Sequence, residues 1–257
     1  MSLITLYINS KNRISGTASD FKINISPLGM KNIKSFNIKN VTIPYSFYTT
    51  VYNNGSISGG QSVEVQVGFL SHVVFIPFGN YPYSDLCLII QDQLNLNIAG
   101  SNFSVTYNQY TSKFTISNNV NFSILWGTTQ DPSTPDYKLL SNVMGFNKID
   151  LSGSNSYTSS FTANLSGPMN LYIKSSALTY QRLSYFQNKA DTVVQVVPIL
   201  SGYGGIIYFQ DPDVRYGFNG SLSLSNFDFQ LVDEYNNTVD LNGLDWSFVI
   251  CFYSDYI

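Results

Sequence analysis

Charge is what this sequence has least of. Only 11% of its 257 residues are Asp, Glu, Lys or Arg, under half the share usual for a soluble domain. It holds one histidine, two cysteines (Cys87 and Cys251) and two glutamates (Glu64 and Glu234). Each scarcity excludes something. A metal centre built from Cys and His is ruled out by count. A hydrolytic triad on His72 has no nucleophile and no orienting acid at a recognisable spacing, and His72 reads as a surface or strand-end histidine adjoining the strand Val73–Phe78. A glycosidase pair would have to come from aspartates. Asp211-Pro212-Asp213 could offer two carboxylates to a cation or a sugar, but a proline-containing turn accounts for it equally. Gly202-Tyr203-Gly204-Gly205 lacks the helix and lysine of a phosphate-binding loop and reads as a tight hairpin. Two cysteines make no disulfide framework. Both lie in apolar runs and read as buried free thiols.

Long hydrophobic runs are missing too. No stretch approaches the roughly 18 apolar residues of a membrane span. The opening Met1–Ile8 has no charged segment ahead of its short apolar run, so no signal peptide is expected. Eight Asn-x-Ser/Thr triplets follow from so much Asn and Ser, and without a signal peptide they carry no weight.

What is present is aromatic and neutral. Phe, Tyr and Trp make up 15% of the chain and apolar residues 44%. The surface must be built from Asn, Ser, Thr and Tyr, which suits packing against neighbours because little charge has to be desolvated. The net charge of −3 argues against nucleic-acid binding. The charges are unevenly placed. Lys11, Arg13, Lys22, Lys31, Lys34 and Lys39 stand against Asp20 alone in residues 1–40, while residues 190–257 hold nine acids against Arg215. Asp233-Glu234 reads as a solvated turn after a strand ending at Leu231.

Alternation of apolar and polar residues dominates. Phe21–Ile25, Val63–Val67, Phe103–Tyr107, Lys113–Ser117 and Asn121–Ile124 each place apolar side chains on one face of a strand. Between Ile33 and Ile43 the phase changes: Phe36 and Ile38 share one face, Val41 and Ile43 the other, which predicts a bulge. Residues 221–231 change phase in the same way. Val193–Leu200, Ile206–Phe209 and Trp246–Tyr253 are apolar on both faces. They read as central strands, or as strands whose outer face meets another subunit. Asn53-Asn54-Gly55, Asp131-Pro132 and Asn242-Gly243 mark turns. The expected fold class is all-β, a jelly-roll β-sandwich. One inserted α-helix is expected at about 84–95, where Leu86, Ile89, Ile90 and Leu94 fall at helical spacing, with Ser84 as cap and Tyr83 and Leu88 as a hydrophobic staple. A short helical turn is expected near 138–144, and a long exposed loop at 150–162. Residues 1–257 are expected to form a single jelly-roll domain, with room for an inserted subdomain around 80–165.

The order of elements in the middle of the chain is distinctive. Tyr81-Pro82-Tyr83-Ser84-Asp85-Leu86 opens the helix, which closes at Leu94-Asn95. Three short strands follow, then Leu139-Leu140-Ser141-Asn142-Val143-Met144-Gly145-Phe146. With the strand end Val41–Tyr48, this order resembles the jelly-roll penton (minor capsid) proteins of virophages and Polinton-like viruses, over roughly residues 30–150. The resemblance implies a structural viral capsid protein. Five copies would fill each fivefold vertex of an icosahedral shell, as a homopentamer beside trimers of a double-jelly-roll major capsid protein. The location implied is the virion capsid, assembled in the host cytoplasm or a viral factory. No enzyme activity, cofactor or small-molecule substrate is expected. Opposite charges on opposing edges would then fix the register of the ring, with Lys11 and Arg13 facing Asp233 and Glu234 across the subunit interface; the alternative is a basic stretch that faces solvent or genome. Two other classes stay open: a carbohydrate- or receptor-binding sandwich (fibre head or lectin-like), and a β-sandwich hydrolase or lyase using Asp211, Asp213 or Asp245.

Overall fold

The computed structural model describes residues 2–25, 30–52, 60–128, 135–178, 192–211 and 214–254. The strands in chain order are β1 (Ser2–Asn9), β2 (Ser15–Gly16), β3 (Asp20–Asn24), β4 (Met30–Pro44), β5 (Gly60–Val67), β6 (Leu70–Pro77), β7 (Ser104–Asn108), β8 (Lys113–Leu125) and β9 (Asp150–Thr158). They continue with β10 (Asn170–Lys174), β11 (Val193–Pro198), β12 (Ile206–Gln210), β13 (Tyr216–Leu224), β14 (Asn226–Asp233) and β15 (Ser247–Ser254). Two α-helices, α1 (Tyr83–Asn97) and α2 (Leu140–Val143), interrupt them. The fold is thus mostly β, as the alternation requires, and jelly-roll in kind.

Two compact units are formed: Met1–Phe47 with Pro168–Ile257, and Tyr48–Gly167. The first is a sandwich of two antiparallel sheets. One runs β1-β15-β4-β12, with β13 also on β4; the other runs β11-β10-β14-β3-β2. Successive strands change sheet, β3 to β4 and β13 to β14 among them, and the two inner faces share one core. Phe36, Ile38, Ile250, Phe252, Phe229 and Leu231 lie at its centre, all fully buried.

The predicted bulge in β4 is present. Val41 pairs with Phe248 and Ile38 with Ile250, so three steps of β4 oppose two of β15. The extra residue turns Val41 and Ile43 back to the face of Phe36 and Ile38, and all four are fully buried. The second phase change has a different cause. Leu224 ends β13 in one sheet and Asn226 begins β14 in the other, so residues 221–231 are two strands that cross the sandwich. Of the three doubly apolar runs, β15 is central, whereas β11 and β12 are edge strands. Residues 202–205 form a turn between sheets and not a hairpin, because β11 and β12 belong to different sheets.

The second unit is a five-stranded antiparallel sheet, β6-β5-β8-β7 with β9 also on β8, packed against α1. Leu86, Ile90 and Leu94 bury the helix face that the spacing predicts. The cap differs from expectation. Pro82 is the N-cap, Ser84 Oγ donates to Asp85 instead, Leu88 is exposed, and Tyr83 stacks on Tyr107 with ring centres 4.6 Å apart. The runs at 113–117 and 121–124 are one strand, β8. Residues 150–158, expected as a loop, form the edge strand β9. Its polar Ser, Gly and Asn residues face solvent on both sides, so no alternation marks it. After α2, Gly145 holds φ +81°, and a Cβ there would sit 2.3 Å from the Phe161 carbonyl oxygen. That accounts for glycine in the Gly145-Phe146 closure. The turns expected at 53–55 and 131–132 lie outside the described residues.

Candidate functional site

The charged residues expected at a subunit interface, Lys11, Arg13, Asp233 and Glu234, all lie in the first unit. Lys11 and Arg13 follow β1, in and after a single 3-10 turn at Ser10–Asn12. β1 pairs along its whole length with β15, which brings the basic stretch beside the acidic one within one chain. Arg13 Nη1 donates to Asp245 Oδ1 at 2.9 Å and to the Ser10 carbonyl at 2.9 Å. Ser10 Oγ donates to the same Asp245 oxygen at 2.6 Å. Asp245, which the sequence reading offered only as a possible catalytic acid, is the partner of Arg13. The signal that could have found it is the pairing of first and last strands, which brings residue 13 close to residue 245. Lys11 is exposed.

Asp233 is only 7% exposed and closes its own turn. Its carboxylate accepts from the amides of Tyr235 and Asn237, each at 2.9 Å, and from Asn237 Nδ2. The solvated turn expected there is solvated only from Glu234 onward. Glu234 is exposed, and burial together with its negative charge raises the pKa of Tyr172 and Tyr235 above the ordinary phenol range. Lys174 Nζ donates to Asn236 Oδ1 at 2.6 Å on the same surface.

The residues weighed for chemistry are dispersed. His72 lies on edge strand β6, paired with Val65. Asp211 is buried and accepts from the Val214 amide at 3.0 Å, while Asp213 lies outside the described residues. Both cysteines are buried free thiols, and burial pushes the Cys87 pKa up to about 11. Among the described residues, no group of three His, Cys, Asp or Glu side chains could hold a metal ion, and no helix is long and apolar enough to cross a membrane.

Two carboxylates do carry lowered pKa values, and both serve the fold. Burial works against the ionised form of Asp228, but bonds from the Ser176 side chain and from the amides of Ser176 and Ala177 outweigh it. Asp150, at the start of β9, is held ionised by Thr128 Oγ1 and the amides of Gly127 and Thr128. The described surface also carries large exposed apolar side chains on edge strands, among them Leu3 and Tyr7 on β1 and Ile206 and Tyr208 on β12.

No protein-family model matches the chain, and no curated protein does. Solved structures do. A chain from the cryo-EM structure of the Sputnik virophage is similar at 13% identity and a TM-score of 0.42, over 97% of this chain and 98% of that one. The crystal structure of the mavirus penton protein is similar at 13% identity and a TM-score of 0.50, over 99% of this chain and 100% of that one. At that identity the likeness is one of fold, and it spans the full length of both chains.

Proposed function

We propose that this protein is a structural subunit of an icosahedral virion, the penton at the fivefold vertices, where five copies form a ring. The observation that carries the reading is the end-to-end likeness of fold to the mavirus penton protein. A charge-poor, tyrosine-rich surface supports it, because such a surface can be buried against neighbours at little desolvation cost. On this reading the neighbours are trimers of a double-jelly-roll major capsid protein, the location is the capsid, and the role involves no reaction. The whole chain is read as one jelly-roll domain carrying its second unit as an insertion.

Native mass spectrometry of the purified chain tests this. Five copies support it. A trimer, or a chain that stays monomeric at every concentration, overturns it. A second reading, a carbohydrate-binding sandwich, draws on the half-exposed Tyr235 beside Tyr172, Glu234 and the Lys174–Asn236 pair, since rings flanked by polar groups suit a sugar face. A glycan array without a binder removes it.

A further inference from the structure

The four-strand path β1-β15-β4-β12 ends in two edge strands with the same unusual character. β1 reads Ser-Leu-Ile-Thr-Leu-Tyr-Ile-Asn and β12 reads Ile-Ile-Tyr-Phe-Gln. Among the described residues each pairs on one side only. Neither holds a charge, a proline or a register shift, the devices that usually stop an edge from pairing with another chain. On β1 the side chains of Ile4, Leu6 and Ile8 turn to the core, leaving Leu3 57% and Tyr7 68% exposed on the outer face. On β12, Ile207 and Phe209 turn inward, leaving Ile206 62% and Tyr208 58% exposed on that same outer face. The large exposed apolar side chains of these two strands thus stand at opposite edges of one sheet.

We infer that β1 of one copy pairs with β12 of the next, so that the sheet continues from subunit to subunit. This rests on the reading of the chain as a ring-forming subunit and names the contact that makes the ring. All three pairings along the path are antiparallel, so β1 and β12 run in opposite directions. A rotation about an axis running along the strands therefore brings the two edges together antiparallel, with Leu3 and Tyr7 on the same face as the neighbour's Ile206 and Tyr208. Such a contact is head-to-tail, the kind that closes rings.

Charge points to a second copy as the occupant. Neither edge offers a charge to pair with, so a partner bearing an ordinary charged surface would lose solvation there without compensation. This chain's own charge-poor surface loses little. The four side chains expose on the order of 400 Å² in total, split between two edges. A stable two-body interface covers about 800 Å² on each partner. These side chains cover only part of that at each joint, so backbone pairing along the two strands and closure of the ring have to supply the rest.

The test uses the full chain. Tyr7→Lys and Tyr208→Glu should each raise the concentration needed for assembly by about tenfold or more, with unchanged circular dichroism and melting. The Tyr7→Lys/Tyr208→Glu double variant should recover assembly, since each joint then pairs opposite charges. Separately, Tyr208→Cys combined with Leu3→Cys or with Tyr7→Cys should give a ladder of disulfide-linked oligomers under mild oxidation, while the single-cysteine variants give none. Wild-type pentamers with no ladder from either double-cysteine variant, or with assembly indifferent to both charges, overturn the edge contact and leave the penton reading standing. A ladder from a protein whose native mass is never five copies upholds the contact and overturns that reading. A monomeric protein without a ladder overturns both.

Discussion

Arg13 and Asp245 form an ion pair, 2.9 Å between Nη1 and Oδ1, that ties the turn after β1 to the chain entering β15. Each side chain is about a third exposed (34% and 31%), so the pair is worth about 0.2–1 kcal/mol. Asp245 does more than Arg13, because it also accepts from Ser10 Oγ, and that same oxygen accepts from the Trp246 amide. Asp245→Ala should therefore cost about 1–2 kcal/mol, more than Arg13→Ala. Urea unfolding of both variants checks the order; equal losses would show that the Ser10 bonds contribute nothing.

The same geometry separates the two basic residues as probes of assembly. Arg13→Glu would set two carboxylates against each other inside one chain, so a loss of assembly there would not report on an interface. Lys11 is exposed, and Lys11→Glu should leave the melting temperature within about 1 °C. If Lys11 faces the next subunit, this variant also weakens ring formation, and more at low salt than at high salt. Assembly that ignores it assigns Lys11 to solvent.

Much of this fold was legible because burial enforces a period of two. The bulge in β4 could be read from Phe36, Ile38, Val41 and Ile43 alone, since a strand that changes phase must gain a residue to keep one face inside. Two features escaped for opposite reasons. β9 touches the core only through Leu151 and Tyr157, with nothing but Ser, Gly and Asn between them, so no alternation can be read. Residues 221–231 show a phase change like that of β4, but nothing local says that this one marks a crossing between sheets at Ser225 and not a bulge. For the candidate site, the charge asymmetry was visible and its partner was not. Asp233 looked like a surface acid, yet Asn237 and the amides of its own turn enclose it.

Gly145 is held where only glycine fits without strain. Its φ is +81°, and an added Cβ would meet the Phe161 carbonyl oxygen at 2.3 Å. The Gly145 carbonyl also accepts from the Phe161 amide at 2.9 Å, so the two segments cannot simply part. Gly145→Ala should cost at least about 2 kcal/mol. A chemical melt that matches the unsubstituted protein would contradict this.

Asp228 should give the acid limb of stability part of its shape. Its folded pKa lies below the ordinary carboxylate value of 3.8, because bonds from Ser176 and Ala177 outweigh burial. A depressed folded pKa stabilises fully above the unfolded value, and the contribution disappears as pH falls through the folded one. Asp228→Asn should therefore be less stable than the parent at pH 7, with the gap closing on acidification through pH 4 and below. Urea midpoints against pH measure it. A gap that stays constant to pH 2 would mean that the carboxylate charge is not what those amides recognise.

The two thiols give a reading of core integrity that needs no assembly. Cys87 sits on the buried face of α1 with its pKa pushed up to about 11, so at pH 8 it is almost wholly the neutral and unreactive thiol. Cys251 is 2% exposed in the central strand β15. Native protein at pH 8 should consume almost no thiol reagent over minutes, and unfolded protein should consume two equivalents at once. The two cysteines belong to different compact units, so partial denaturation should release them in separate steps if the units unfold independently, and together if they do not. Rapid labelling of Cys87 in the native protein would contradict its place in the core of the second unit.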